Sequence, residues 1–394
     1  LGRPFYPKTS EKSTRIADRA PRFDAAPRAE YDGRNDRSIF DPERKPAMSE
    51  ARAYAAVSPT SPLAPHRIPR REPGDKDVVI DVAYCGICHS DIHNARSEWG
   101  EGAYPMVPGH EIAGRVTRVG RKVRKFKAGD LAGVGCMVDS CRTCVNCRRG
   151  LEQHCLGRIS FTYNALEQDG KTPTYGGYSS HIVVDEAFVL KVKPGQPLER
   201  VAPLLCAGIT TYSPLKRHKV RKGTRVGVLG LGGLGHMAVK IAAAMGATVT
   251  VLSGSESKRP DAKKLGAAAF ALTKDPAVMQ KLAGSLDLIV DTVSGPHDVD
   301  AMIGLLATEG TLVMVGASPQ PHAVGSFPLI IGRRAIEGSL IGGIRETQEM
   351  LDFCARKKVL SDVEVIAAKD INAAYERMLK SDVRYRFSID CATL

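Results

Sequence analysis

The sequence contains a single tryptophan, and aromatic residues fill only 6% of its 394 positions. It has no array of interleaved aromatic and basic residues of the kind that stacks bases, which speaks against a nucleic-acid binder despite a net charge of +13. No stretch approaches eighteen consecutive apolar residues, so no membrane-spanning helix is expected. No basic-then-apolar leader is visible, which makes the cytosol the default compartment, where thiols stay reduced. The ten cysteines therefore read as ligands, nucleophiles or core residues before disulfides. The sequence shows no internal repeat.

Residues 1–47 carry six prolines and 11 basic against 8 acidic side chains with no apolar periodicity, the composition of a disordered extension. Asp18, Asp24, Asp32, Asp36 and Asp41 break the acidic-poor rule of a mitochondrial presequence. A chain of this length calls for two domains. Residues 48–202 hold short strand-like runs such as Asp77–Tyr84, punctuated by glycine and proline, and read as a β-rich, loop-rich domain. From 203 to 338 strands and helices alternate. Strands are expected at Thr224–Leu229, Thr248–Leu252, Leu286–Val290 and Gly310–Val315, with a helix at Gly233–Met245. Such alternation implies a parallel sheet wrapped by helices. Residues 339–394 revert to mixed structure with a helix through Glu346–Arg356.

Cys141, Cys144, Cys147 and Cys155 stand at spacing C-x2-C-x2-C-x7-C. Four thiolates close a tetrahedral zinc shell with no open position, which makes a structural site. An iron–sulfur cluster is the alternative, although Leu156 stands where that pattern has proline. Three dispersed segments carry further donors: CGICHSDIH with Cys85, Cys88, His89, Ser90, Asp91 and His93; PGHEIAGRV with His110 and Glu111; and PLLCAGITTYSPL with Cys206. One cysteine, one histidine and a distant cysteine would make an open three-ligand site with room for water or substrate. GLGGLG, with Gly230, Gly232, Gly233, Leu234 and Gly235, follows a strand and opens a helix, the context a pyrophosphate-binding loop requires. The carboxylate that binds ribose hydroxyls in NAD sites is missing after the second strand. SGSESK stands there instead, with Ser253, Gly254, Ser255, Ser257 and Lys258. Hydroxyls and an ammonium suit a 2′-phosphate, so NADP(H) is favoured, with Glu256 expected to face solvent.

Together and in this order, CGICHSDIH, GHEIAGRVTRVG, the four-cysteine lobe, LLCAGITTYSPL and VLGLGGLGHMAVKIAAAMGATV resemble the zinc-dependent medium-chain alcohol dehydrogenases. The likeness is to their cinnamyl-alcohol-dehydrogenase branch, with its bacterial broad-range aldehyde reductases. It runs from about Met48 to the C-terminus and includes IGGIRETQEMLDFC. The resemblance implies an α/β plus β fold: a GroES-like catalytic domain at 48–202, a doubly wound Rossmann NADP-binding domain at 203–338, and a return to the catalytic domain at 339–394.

It also implies two Zn2+ per chain. The catalytic ion would lie on Cys88, His110 and Cys206, with Glu111 as an occasional fourth ligand, and the structural ion on the four lobe cysteines. Asp91 would orient His110. Ser90 would start a proton relay that His93 ends, and His89 would lie near the pyrophosphate. Thr210, Val315 and the backbone of Ser339 and Ile341 would lie against the nicotinamide, while Ser253, Gly254, Ser255 and Lys258, assisted by Arg259, would hold the phosphate. Trp99, Tyr104, Phe161 and Tyr163 are candidate pocket walls or packing residues. Arg345 departs from the proline or lysine of the relatives and, if it faces the cleft, would touch cofactor or a polar aldehyde.

The implied function interconverts primary alcohols and aldehydes with NADP(H), chiefly as a broad-range aldehyde reductase. The implied partners are a small-molecule substrate and a second copy paired through sheet edges near Ser339–Gly343, with no nucleic acid and no membrane. A polyol dehydrogenase is the near alternative, opposed by the missing carboxylate. A zinc-ribbon nucleic-acid binder leaves Cys88, His110, Cys206 and the glycine loop unexplained, and a zinc-free quinone reductase would lack these cysteines.

Overall fold

In the computed structural model, which describes residues 49–394, the strand Asp77–Ile87 is the axis of the first sheet. The extension expected at 1–47 lies outside the described residues. Val78, Ile80, Cys85 and Ile87 are fully buried, which is why the strand runs three residues past the expected Tyr84. The overrun has a consequence for chemistry, because it delivers Cys88 to the start of the short helix His89–Ala95. Cys85 packs into the core, as a small apolar residue would.

Seven strands make this sheet, in the spatial order Val363–Ala367, Arg386–Asp390, Asp77–Ile87, Ile112–Val119, Leu131–Val134 and Leu190–Lys191, with His181–Asp185 also paired to Asp77–Ile87. The C-terminal strand Arg386–Asp390 runs antiparallel against Tyr84–Ile87, so the end of the chain closes on the segment that leads to Cys88.

The second sheet is parallel throughout. Its six strands lie in the order Ala269–Leu272, Thr248–Ser253, Arg225–Leu229, Leu286–Asp291, Leu306–Met314 and Ala335–Gly338. The chain winds outward in one direction from Arg225–Leu229 and in the other from Leu286–Asp291, so the strand order reverses between them. This is the Rossmann arrangement, and a dinucleotide binds at that switch point. The four central strands match the sequence expectation within four residues. Ala269–Leu272 and Ala335–Gly338 were not foreseen; each is a four-residue edge strand with too short an apolar pattern to announce itself.

His236 ties the two sheets together from the helix Gly235–Met245. Its ring stacks on Tyr385 with centroids 4.9 Å apart, Nδ1 lies 3.3 Å from the Gly232 carbonyl and Nε2 lies 3.1 Å from Ser361 Oγ. Burial, reinforced by Arg386 and Lys240, pushes the imidazole from 6.5 down to about 3. The native ring thus stays neutral where the unfolded ring protonates, so the unfolded state binds the extra proton as pH falls. Stability is expected to drop between pH 6.5 and about 3, by up to about 1.4 kcal/mol per pH unit from this group. Urea midpoints of the parent and of His236→Gln protein, compared from pH 7 to pH 4, check this: the variant should lose part of the slope.

Candidate active site

Cys88 and Asp91 face one another because a single helical turn separates them: Asp91 Oδ2 accepts the Cys88 backbone N–H at 2.8 Å. That bond fixes the helix start. The other oxygen of Asp91 accepts the Gly109 N–H at 3.1 Å and lies 3.1 Å from His110 Nδ1. Tyr178 donates its hydroxyl to Oδ2 at 3.3 Å. A fully buried carboxylate therefore has four donors, and one of them is the His110 ring. With Nδ1–H committed to Asp91, Nε2 is left as the donor atom of a neutral imidazole, which is how a carboxylate prepares a metal-binding histidine.

Cys206 enters from the start of the helix Ala207–Arg217, and its Sγ lies 4.0 Å from Cys88 Sγ. One ligand atom each from Cys88, His110, Glu111 and Cys206 falls within 4.8 Å of the other three, and all four residues are buried. Glu111 is 0% exposed; one carboxylate oxygen pairs with Arg386, and the other, Oε2, has no hydrogen-bond partner. Burial pushes this carboxyl up to about 8. Two thiols, an imidazole nitrogen and an orphaned carboxylate oxygen around one point form a donor set that suits Zn2+.

The four lobe cysteines also converge within 4.8 Å, with Sγ–Sγ separations of 3.5 Å for Cys144–Cys147, 3.9 Å for Cys141–Cys147 and 4.0 Å for Cys144–Cys155. Zinc–sulfur bonds of about 2.3 Å put tetrahedral sulfurs about 3.8 Å apart. The spacing fits one ion and leaves no room for an iron–sulfur cluster. Backbone N–H groups of Cys144 and Thr143 point at Cys141 and pull its thiol down to about 5, favouring the thiolate a metal needs.

The glycine loop begins at the switch point. Gly230 has φ of +87°, a conformation that favours glycine, and a Cβ on Gly235 would stand 2.2 Å from the Gly230 carbonyl oxygen. Gly232 faces open space, the cradle a pyrophosphate would occupy. Leu234 precedes the helix Gly235–Met245. Beyond the second strand, Ser253 Oγ accepts the Ser255 N–H at 3.2 Å, Ser255 and Ser257 hydroxyls lie 2.9 Å apart, and Lys258 closes the same turn. A Cβ on Gly254 would meet only Lys274 and Thr273, at 3.5 and 3.7 Å. Glu256 is exposed and holds Arg259, whose guanidinium also stacks 4.6 Å above the Phe270 ring; Arg259 is thus engaged away from the serines.

Other expected residues fall on both sides of the line. Ser90 Oγ is 3.5 Å from Cys88 Sγ, and Tyr163, its ring 5.8 Å from that of His110, donates to the Ser90 carbonyl at 3.1 Å. Thr210 lies one helical turn after Cys206. Val315 and Ser339 leave neighbouring parallel strands, bonded to Asp291 and Met314 carbonyls, and Ile341 is buried with φ of +37°. His93 turns outward: Nδ1 is 2.5 Å from Glu98 Oε2 and the ring stacks 4.7 Å from Trp99. His89 is exposed. Tyr104 is a packing residue, its hydroxyl bonded to Ala95 and Ser97, and Phe161 is exposed on the lobe side. Arg345 does not reach the cleft region; its guanidinium lies against Gly150 in the four-cysteine lobe.

Sequence reasoning missed Arg386. This fully buried guanidinium pairs with Glu111 on one side and, on the other, stands 2.9 Å from the position a Gly233 Cβ would take. It joins the metal-ligand cluster to the glycine loop.

Two family models match the chain: the alcohol dehydrogenase GroES-like domain over residues 74–194 and the zinc-binding dehydrogenase over residues 233–356. The chain is 57% identical over 348 residues to NADP-dependent alcohol dehydrogenase C 1 of Mycolicibacterium smegmatis, covering 88% of this chain and 99% of that one. A cinnamyl alcohol dehydrogenase from Sorghum bicolor superposes with TM-score 0.85 at 45% identity, covering 87% of this chain and 98% of that one. A cinnamyl alcohol dehydrogenase from Helicobacter pylori complexed with NADP(H) superposes with TM-score 0.83 at 46% identity, covering 88% and 99%. With two family models matched in order and 57% identity across nearly the whole length of a relative, the protein belongs to the zinc-dependent medium-chain alcohol dehydrogenases, in their cinnamyl-alcohol-dehydrogenase branch.

Proposed function

We propose that the protein interconverts aldehydes and primary alcohols with NADP(H), acting chiefly as a broad-range aldehyde reductase. The observation that carries this reading is Arg386, whose one guanidinium pairs with Glu111 of the four-donor cluster and stands 2.9 Å from where a side chain on Gly233 of the dinucleotide loop would begin. The NADP dependence named for the mycobacterial relative and the NADP(H) bound to the Helicobacter enzyme support the Ser253–Lys258 turn as the site of a 2′-phosphate.

When bound, zinc on Cys88, His110 and Cys206 supplies Lewis acidity to a carbonyl oxygen, and NADPH supplies the hydride. The remaining work falls to the chain. Asp91 holds His110 in one tautomer. Ser90 Oγ, beside Cys88, hands a proton to the oxygen of the aldehyde as it is reduced. His93, its ring held by Glu98 through Nδ1, would be the solvent-side end of the relay, with the ribose hydroxyl of the bound nucleotide between it and Ser90. Tyr163 packs beside His110, and half-exposed Trp99 stacks on His93. A panel of aromatic and aliphatic aldehydes tests the breadth. Values of kcat/KM within about a hundredfold are expected, since one apolar group more or less on the substrate is worth only about 1–3 kcal/mol. One aldehyde preferred by more than about 10⁴ would contradict broad range.

The active form is a dimer in this reading. Strand Ala335–Gly338 is one of the two edges of its sheet among the described residues, and Phe327, Ile330 and Ile331, just before it in the chain, are 70%, 70% and 69% exposed. Apolar exposure next to a bare strand edge is what a second copy would cover. Sedimentation should give twice the chain mass for the parent, and Phe327→Asp/Ile331→Asp protein should sediment as a monomer.

A further inference from the structure

The helix Ile344–Lys357 has no N-cap of its own: Gly343 occupies the cap position and offers no side chain. Its first N–H is satisfied from elsewhere. Ile344 N donates to Glu152 Oε2 at 3.1 Å, and Glu152 lies in the four-cysteine lobe, between Cys147 and Cys155. The contact is close along its whole length. A Cβ on Gly343 would stand 1.9 Å from the Gly150 carbonyl oxygen and 2.6 Å from Glu152 Oε2, and the Arg345 guanidinium covers Gly150. A carboxylate at this end of a 14-residue helix meets both an orphan donor and the positive pole of the helix dipole.

The segment so clamped is Ile341–Glu346. On its other side it rests on the helix that begins after Cys206. A Cβ on Gly342 would stand 2.7 Å from Ile209 Cδ1, and Glu346 accepts the Ser213 hydroxyl at 2.9 Å. Ile341 is held buried in the left-handed region at φ of +37°, a costly conformation for a β-branched residue that persists only where its surroundings enforce it. The Cys206 helix packs against the next residue, Gly342, and the lobe holds the chain at Gly343 and Ile344, two and three residues further on.

We propose that Glu152 is a positioning residue for the cofactor: by capping the helix Ile344–Lys357 from the four-cysteine lobe, it fixes the backbone of 339–343 against the nicotinamide half of NADPH. This inference rests on the assignment of Ser339 and Ile341 to the nicotinamide side.

The test is NADPH affinity, read by the fluorescence of the bound nucleotide, with zinc counted on each sample. Glu152→Ala protein should keep two zincs, bind NADPH about fivefold more weakly, equivalent to about 1 kcal/mol, and change kcat by less than about twofold. Glu152→Gln protein keeps an acceptor oxygen and should lie within about twofold of the parent. Ile344→Pro removes the donor from the opposite side without touching the lobe. Gly343 at φ −69° and ψ 168° already has the backbone that precedes a proline, and proline is favoured at the first helical position. It should weaken NADPH binding as Glu152→Ala does, and it decides the matter alone if Glu152→Ala protein loses its lobe zinc. Parent-like NADPH affinity in either zinc-replete variant, or a Glu152→Gln protein as weak as Glu152→Ala, would overturn the proposal. A parent that binds no NADPH would instead refute the cofactor reading beneath it.

Discussion

Cys88→Ser protein is expected to retain one zinc per chain and to lose at least about 10³ in kcat/KM for any aldehyde the parent reduces. A serine hydroxyl does not ionise near neutral pH, so the substitution removes an anionic donor from a buried cluster of Cys88, His110, Glu111 and Cys206. Lewis-acid activation of a carbonyl is worth several kcal/mol, and each 1.36 kcal/mol is tenfold in rate, which sets the size of the loss. The fold should survive, because the bond that starts the helix His89–Ala95 runs from the Cys88 backbone N–H to Asp91 and needs no sulfur. Metal analysis and a circular-dichroism spectrum on the same sample separate a missing ion from a missing fold. Parent-like turnover in a one-zinc protein would show that this cluster is not where the carbonyl is activated.

Ser253→Asp is expected to lower kcat/KM with NADPH by about 10²–10³ while changing that with NADH by less than about tenfold. Ser253 ends the second strand of the parallel sheet, where NAD-binding relatives of the Rossmann class carry a carboxylate. The variant exchanges a hydroxyl donor for an anion where the proposed reading puts the 2′-phosphate. A charge-assisted hydrogen bond contributes about 1.5–3 kcal/mol, and repulsion adds to its loss. The introduced carboxylate would still accept the Ser255 N–H that Ser253 Oγ accepts at 3.2 Å, so the turn itself should hold. Initial rates with both nucleotides give the ratio directly, and an unchanged ratio would place the phosphate elsewhere.

Much of the site could be read from residue spacing because its parts are local. Cys88, Ser90 and Asp91 share one short helix, the lobe cysteines span fifteen residues, and the glycine loop carries its own strand and helix. What stayed hidden is long-range. Arg386 meets Glu111 across 275 residues, through the pairing of Arg386–Asp390 with Asp77–Ile87; in the sequence it is one basic residue in RYRFSID, indistinguishable from a surface arginine on an edge strand. Glu152 is equally mute, since its partner is a backbone N–H 192 residues away. Arg345 illustrates the same limit: residue identity marks it as unusual, but that its guanidinium lies against Gly150 is a long-range fact that spacing does not carry. Glu98 lies only five residues from His93, so that pairing is local and legible in HNARSEWG.

The most direct measurement follows NADPH oxidation by the parent protein, purified without chelator, with an aromatic and an aliphatic aldehyde, against NADH at equal concentration and with zinc counted on the same sample. Two zincs per chain and turnover at least about tenfold faster with NADPH are the expected result. Full zinc with no turnover from either nucleotide would contradict the assignment of an NADP-dependent aldehyde reductase.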